Sequence, residues 1–88
     1  PAADLAVALA VASAARDFTI PNDLIAVGEV GLAGEVRRIS GIKRRLAEAA
    51  RLGIKRAIVP PASGPHPSGM QVLEVESLAA AIAAAARS

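Results

Sequence analysis

The pattern of apolar and polar positions predicts a chain in which helices and strands alternate. Residues 4–15 predict a helix that is apolar on every side, and such a helix is typically buried on more than one face. Asp4 is a suitable residue to cap its first turn. Residues 78–86 predict a final, alanine-rich helix that begins after a second capping residue, Ser77.

A central helix is predicted between Ser40, a good N-cap residue, and Gly53, a good residue to follow a helix end. Its apolar side chains recur at a spacing that places them on one face, while Arg44, Glu48 and Arg51 lie on the opposite face and Lys43 lies at the margin of the apolar stripe. The residues of this predicted core face are Ile42, Leu46, Ala49 and Ala50.

Residues 24–30 form a nearly continuous apolar run, which predicts one strand in a sheet covered on both faces. Gly31 and Gly34 predict a tight reversal, followed by a short antiparallel return at residues 35–37. The remaining extended segments are strands at residues 56–59 and 70–75, with a surface loop at 62–69 between them. The fold class expected is α/β (α+β), with helices packed on a small mixed sheet.

Composition limits the chemistry that this chain can perform. The sequence of 88 residues has no cysteine and one histidine, which excludes disulfides, thiolate catalysis, zinc ribbons, iron–sulfur ligation and multi-histidine metal sites within it. With a single aromatic residue, Phe18, its core has to be built from small aliphatic side chains. The apolar run near the N-terminus stops at Arg16, well short of a membrane span, and no signal peptide is expected.

A search for catalytic motifs returns little. The sequence contains neither a P-loop nor a Gly-x-Ser-x-Gly motif. His66 lies in a Pro/Ser/Gly-rich loop and has no partner set for acid–base work, so we interpret it as a solvated loop residue. Glu29 and Glu35 could form a carboxylate pair, but two acids alone are common, and we expect no catalysis from them.

Charge is distributed unevenly along the chain. Residues 37–56 hold eight basic side chains and one acid, a net charge of +7, so the rest of the chain carries 2 − 7 = −5. This asymmetry fits either a solvated helix face or contact with a polyanion. Because no aromatic residue lies among the basic ones, stacking on single-stranded bases is not expected, and phosphate contact is the form of binding favoured.

Three segments carry a resemblance to a known family. Residues 1–10, 27–37 and 45–60 resemble the C-terminal Lon-protease-like domain of the bacterial RadA (Sms) DNA-repair proteins, and residues 69–71 and 75–78 resemble its closing strand and helix. The most specific stretch is Gly-Glu-Val-Gly-Leu-Ala-Gly-Glu-Val-Arg at residues 28–37. The family domain begins with further strands, so residues 1–88 resemble its later part, cut from a longer protein.

The resemblance implies a ribosomal protein S5 domain 2-like fold of the Lon proteolytic-domain type. It also implies a parent protein that is a DNA-dependent ATPase acting on recombination intermediates by branch migration. That parent would hold ATP, magnesium and zinc outside this chain, assemble as a hexameric ring in the cytoplasm, and have the RecA recombinase as a further partner. No cofactor and no membrane contact are expected of the chain itself.

True Lon proteases use a Ser–Lys dyad, and the resemblance locates both positions here. The nucleophile position is Ala2, which has no oxygen for attack, whereas the second position is Lys43, which matches the lysine. A lysine without a nucleophile cannot transfer an acyl group, so this chain is expected not to be an enzyme. A proteolytic-domain fragment of a Lon-type protease is the alternative.

The leading hypothesis is therefore a non-catalytic scaffold and oligomerisation domain that contacts the phosphates of single-stranded or branched DNA without reading bases. Lys43 is a weaker candidate for such contact than the six main ones. A third hypothesis is that the same basic surface docks on an acidic surface of a neighbouring subunit. The main candidate DNA contacts are Arg37, Arg38, Arg44, Arg45, Arg51 and Lys55.

Overall fold

The computed structural model describes residues 2–88, and in this range the chain forms three helices and six strands. This confirms a mixed α+β architecture. The elements in chain order are β1 (Ala3–Asp4), α1 (Leu5–Arg16), β2 (Leu24–Ala26), β3 (Glu29–Val30), β4 (Val36–Arg37), α2 (Ile42–Arg51), β5 (Arg56–Val59), β6 (Gln71–Glu74) and α3 (Leu78–Arg87).

The strands form two small sheets. In the antiparallel sheet the order is β1-β3-β4, and the pair β3–β4 is the glycine-flanked reversal that the sequence predicts. The Gly31 amide donates to the Glu35 carbonyl at 2.9 Å and closes this hairpin. In the parallel sheet the order is β2-β5-β6, so β5 is the central strand and the other two are edges.

The single strand predicted at residues 24–30 is wrong, because the run divides between the two sheets. The Val27 amide still donates to the Ile58 carbonyl of the parallel sheet at 3.0 Å, whereas the Gly28 carbonyl accepts from the first amide of α1. A Cβ at Gly28 would lie 3.1 Å from Pro60 Cγ and 3.3 Å from Val36 Cγ1. Any larger residue at this position would push these two side chains aside, so glycine suits the point at which the chain changes sheets.

Helices cover both faces of the parallel sheet. Along β5 the side chain of Ile58 packs toward α1 and α3, while Ala57 and Val59 pack toward α2. This alternation with a period of two separates the core into two layers. In the α2 layer, Ile42 and Leu46 are buried as the spacing predicts.

The burial predicted for α1 is wrong on its outer side. Leu5 and Leu9 are buried, but Val7 and Val11 are 59% and 64% exposed. Helix α1 packs on α3 and on the sheets from one side, and within residues 2–88 no element covers the other side. The Asp4 cap is confirmed, because its carboxylate accepts from the Val7 amide at 3.1 Å.

Of the other three predicted helix ends, two are confirmed and one is wrong. Ser77 caps α3, since its hydroxyl accepts from the Ala80 amide at 3.1 Å. Gly53 follows α2 with a φ of 91°, the left-handed conformation that glycine commonly adopts just after a helix. Ser40, however, does not cap α2: the N-cap is Gly41 at φ 79°, and it makes no side-chain cap bond.

These caps give a first prediction with a matched control. Replacing the hydroxyl in Ser77→Ala leaves the Ala80 amide without its partner and lowers the free energy of unfolding by about 1 kcal/mol. Ser40→Ala, the same chemical change next to a helix that Ser40 does not cap, leaves it unchanged. Urea denaturation followed by circular dichroism measures both, and equal losses in the two variants would contradict the cap assignment.

Candidate nucleic-acid interface

The exposed face of α2 presents the densest group of basic side chains. Lys43, Arg44 and Arg45 are all exposed at the start of this helix. Arg44 lies opposite the buried face, and Lys43 and Arg45 lie at its two margins. Arg44 and Arg45 line an open cleft of about 470 Å³, which we call the helix cleft; its other lining residues are Ser40, Gly41 and Glu48. The structure therefore brings two of the six main candidate DNA contacts together.

Two other candidates already have acidic partners. The Arg37 guanidinium lies 3.9 Å from the Glu29 carboxylate and 3.6 Å from that of Glu35. The Arg51 guanidinium contacts Glu48, one helical turn earlier. A phosphate would have to compete with these carboxylates, although exposed ion pairs of this kind are weak.

The last two candidates flank the helix on different sides. Arg38 lies two residues before the helix cleft and borders a second cleft, of about 440 Å³, with Pro60 and Pro61. Lys55 is exposed beyond the other end of α2, a helix whose ten residues span about 15 Å. Within residues 2–88, neither side chain has an ion pair.

The arrangement suits phosphate contact without base readout. Arginine presents a planar fork of donors that matches phosphate oxygens, and Arg44 and Arg45 provide two such forks on an exposed helix. None of the side chains that line the helix cleft is aromatic, so the cleft has no stacking platform for a base.

One basic residue of the segment is structural. The Arg56 guanidinium lies 2.7 Å from an Asp23 carboxylate oxygen and joins the start of β5 to the turn before β2. This hydrogen bond lowers the pKa of Asp23 below its ordinary 3.8 and raises the pKa of Arg56. Arg56 is thus held by the fold, and no phosphate contact is assigned to it.

The pair gives a second prediction, with its sign fixed by linkage. Because the pKa of Asp23 is lower in the folded chain, ionised Asp23 stabilises the fold above pH 3.8, and this contribution disappears as the pH falls through the folded-state pKa. Asp23→Asn should lower the melting temperature at pH 7 and flatten its dependence on pH between pH 5 and pH 2. Thermal unfolding of both proteins over that range measures it. A variant that tracks the parent curve in parallel would contradict the ion pair.

The dyad positions inferred from the resemblance lie on exposed segments. Ala2 precedes β1 and is exposed, and Lys43 is the second residue of α2 and is exposed as well.

His66 Nε2 lies 3.8 Å from a Glu74 carboxylate oxygen. Glu74 also accepts from the backbone amides of Ala62 and Ser63, so this carboxylate organises the loop that contains His66.

Some roles in this region were missed by reasoning from sequence. Glu29 and Glu35, considered above as a carboxylate pair, instead flank Arg37, and Glu35 also accepts from the Ala33 amide at 3.1 Å. The register of the hairpin places Glu29 directly opposite Arg37. The alternation of residues across the glycine reversal was the signal that could have revealed this cross-strand pair.

A comparison with protein families assigns the chain. A family model described as ChlI, subunit ChlI of Mg-chelatase, matches residues 1–63. The chain belongs to this family.

Among residues 2–88 no three His, Asp or Glu side chains are grouped so that they could hold a metal ion. The same part of the chain contains no helix that is both long and apolar enough to cross a membrane.

Curated relatives of this ChlI-family chain carry a different name. The chain is 54% identical over 82 residues to the DNA repair protein RadA of Mycolicibacterium smegmatis, a match that spans 93% of the chain and 18% of the relative. The RadA proteins of Escherichia coli and Bacillus subtilis are 49% and 48% identical over 91% and 93% of the chain. The chain spans less than a fifth of the length of these relatives.

Proposed function

We propose that this chain is the non-catalytic, DNA-contacting scaffold domain of a RadA-type DNA repair protein, with a Lon-like, S5 domain 2-like fold. The observation that carries the proposal is the similarity to RadA proteins, which extends over more than nine-tenths of the chain at about half identity. The family description names a magnesium chelatase subunit, and the repair role is favoured because the RadA relatives match more of the chain.

The exposed cations supply the physical side of the proposal. In this proposal Arg44 and Arg45 in the helix cleft, with Arg38 in the neighbouring cleft, neutralise phosphates of the DNA backbone. Such contacts fix the position of the backbone and carry no sequence information. Arg37 and Arg51 are paired to acids, so they add little to the local positive potential and would have to exchange these partners for a phosphate.

The remaining features of the proposal concern the longer protein. We propose that it assembles as a hexameric ring in the cytoplasm, hydrolyses ATP elsewhere in its sequence, drives branch migration and cooperates with the RecA recombinase. In a ring, six copies of a weak phosphate-binding surface act together, and the resulting avidity exceeds the affinity of one copy by orders of magnitude.

The absence of peptidase activity is part of the proposal and has a direct test. With a methyl group at Ala2, Lys43 has no serine hydroxyl to activate at that position. An acyl fluorophosphonate probe should leave the chain unlabelled, as judged by intact mass. Labelling of any serine, and its loss in Lys43→Ala, would overturn this part and support the Lon-type protease alternative.

The DNA contact is tested by the salt dependence of binding. Fluorescence anisotropy with a labelled 30-base-pair duplex should show an affinity that falls linearly on logarithmic axes as the NaCl concentration rises. If Arg38, Arg44, Arg45 and Lys55 all contact phosphates, the slope is about −3.6, and each one that does not reduces its magnitude by about 0.9. The affinity should also be independent of base sequence. Two duplexes of unrelated sequence should bind equally well, and so should two single strands of unrelated sequence. Binding that is insensitive to salt would contradict the proposal.

A further inference from the structure

The parallel sheet is incompletely covered on the face that packs on α1 and α3. At the end where its strands begin, a groove of about 320 Å³ lies between the sheet and the last turn of α3. Its apolar surface comes from all three strands and from the helix: Leu24, Ile58, Leu73 and Ala84. A groove of this size lies at the lower end of the range found for ligand sites.

The polar side chains around the groove are basic or neutral. Arg56, Arg87 and Gln71 are among its lining residues, and the terminal carboxylate of Ser88, which also lines the groove, forms no ion pair with Arg87. The Arg56 charge is balanced by Asp23 at 2.7 Å. Arg87 has no ion pair anywhere in residues 2–88, so it leaves one uncompensated positive charge beside an apolar floor.

The groove runs along an open sheet edge. Strand β6 contributes three consecutive lining residues, 71–73, and pairs only with β5 on its inner side. The Gln71 amide donates to the Lys55 carbonyl and the Val75 amide to the Val59 carbonyl. Since the peptide groups of a strand point alternately to its two sides, those of Val72 face the outer edge, where the described residues provide no backbone partner.

We propose that this groove and the β6 edge bind an extended segment of a partner protein that carries an aliphatic residue flanked by acidic residues. The segment adds a strand to β6 through backbone hydrogen bonds, which is a common mode of peptide recognition. The aliphatic side chain covers Leu73, now 45% exposed, and a neighbouring carboxylate pairs with Arg87. Charge complementarity selects the partner, because only an anionic group compensates the free guanidinium.

DNA does not fit this groove as it fits the helix cleft. The floor is aliphatic, and a phosphate backbone has no apolar group to bury there. The groove also lies on the α1–α3 side of the sheet, whereas α2 packs on the other side. Peptide binding and DNA binding are therefore expected on different faces of the molecule and can be tested independently.

The probe is a capped, fluorescein-labelled peptide, Gly-Ser-Glu-Leu-Glu-Val-Glu-Ser, titrated with the 88-residue chain and followed by anisotropy. Two control peptides change one property each: one replaces every glutamate by lysine, and the other carries an N-methyl group on the backbone of the central glutamate, which removes a backbone donor and keeps the charge. Both should bind at least about tenfold more weakly, the change expected when one charge-assisted or backbone hydrogen bond is lost. Equal binding of the lysine peptide, or no binding of the glutamate peptide at 1 mM chain, would overturn the proposal.

Protein variants locate the site. Arg87→Gln should weaken binding of the glutamate peptide about tenfold, while Arg16→Gln, the same change at the end of α1, should leave it unchanged. Leu73→Ser, at a residue that is already half exposed, should weaken it as well without unfolding the chain, as circular dichroism will show. Binding that survives both Arg87→Gln and Leu73→Ser would place the peptide elsewhere and refute the assignment. Sodium acetate and unlabelled glutamate peptide should also be compared as competitors of the labelled peptide. If acetate competes as strongly as the peptide, the site is a simple anion contact and the proposal is refuted.

Discussion

Charge reversal at Arg44 and Arg45 should weaken binding to duplex DNA about 100-fold at a fixed salt concentration. Each guanidinium that leaves a phosphate costs roughly tenfold in affinity, and the introduced carboxylates repel the backbone further. The double variant Arg44→Glu, Arg45→Glu should also reduce the magnitude of the salt slope by about 2. Both side chains are exposed, so the fold should be retained.

A matched control separates local contact from net charge. Arg16→Glu with Arg87→Glu changes the charge of the chain by the same amount, but at the ends of α1 and α3, across the sheet from α2. Its affinity for the duplex should fall by less than about threefold, because charges more than a Debye length from the phosphates are screened. If the control loses as much affinity as the α2 variant, binding reflects overall charge and the helix cleft has no specific role.

Truncating Leu46 should cause a large loss of stability. Its side chain is fully buried between α2 and the parallel sheet, in the same cluster as Ala57 and Val59. Leu46→Ala removes three buried carbons and leaves a cavity, a change that lowers the free energy of unfolding by about 2–5 kcal/mol. For a domain of this size each kcal/mol corresponds to roughly 4–8 °C in melting temperature.

The same change at Leu52 provides the comparison. Leu52 is the C-cap residue of α2 and is 77% exposed, so Leu52→Ala should alter the melting temperature by only a few degrees. Differential scanning calorimetry of both variants measures the difference. Similar melting temperatures for Leu46→Ala and Leu52→Ala would show that the face of α2 has been assigned wrongly.

The parts of the fold that could be predicted are those whose signals are local. The spacing of Ile42, Leu46 and Ala49 specifies the buried face of α2, because residues three, four and seven apart share one side of a helix. The glycines around the hairpin, and the proline that follows the short strand β5, are equally local signals. In each of these cases, neighbouring residues alone determine the conformation.

The predictions that were wrong concern conformations that depend on residues distant in the sequence. The division of the 24–30 run depends on Pro60 and Val36, which approach Gly28 from other parts of the chain. The exposure of Val7 and Val11 depends on which elements pack on α1, and the helix composition does not contain that information. The prediction that Ser40 caps α2 failed because the chain enters this helix through Gly41, which has a left-handed conformation.

The candidate interface shows the same division. The accumulation of basic residues is visible in the sequence, but the neutralisation of Arg37 depends on strand register and that of Arg56 on Asp23, 33 residues away. Arg51 and Glu48 are three residues apart on a helix, so their pairing could have been predicted. The structure is therefore needed to separate the unpaired candidates, Arg38, Arg44, Arg45 and Lys55, from Arg37, whereas the pairing of Arg51 is visible in the sequence.

The central claim, that the start of α2 is the surface that holds DNA, is tested most directly by nuclear magnetic resonance. Two-dimensional ¹⁵N–¹H spectra of the labelled chain should be recorded while a short duplex is added. The account predicts that the backbone amides of residues 38–45 and the side-chain signals of Arg44 and Arg45 shift most, while those around Arg16 and Arg87 stay in place. Shifts concentrated on α1 or α3, or no shifts at all at saturating DNA, would contradict it.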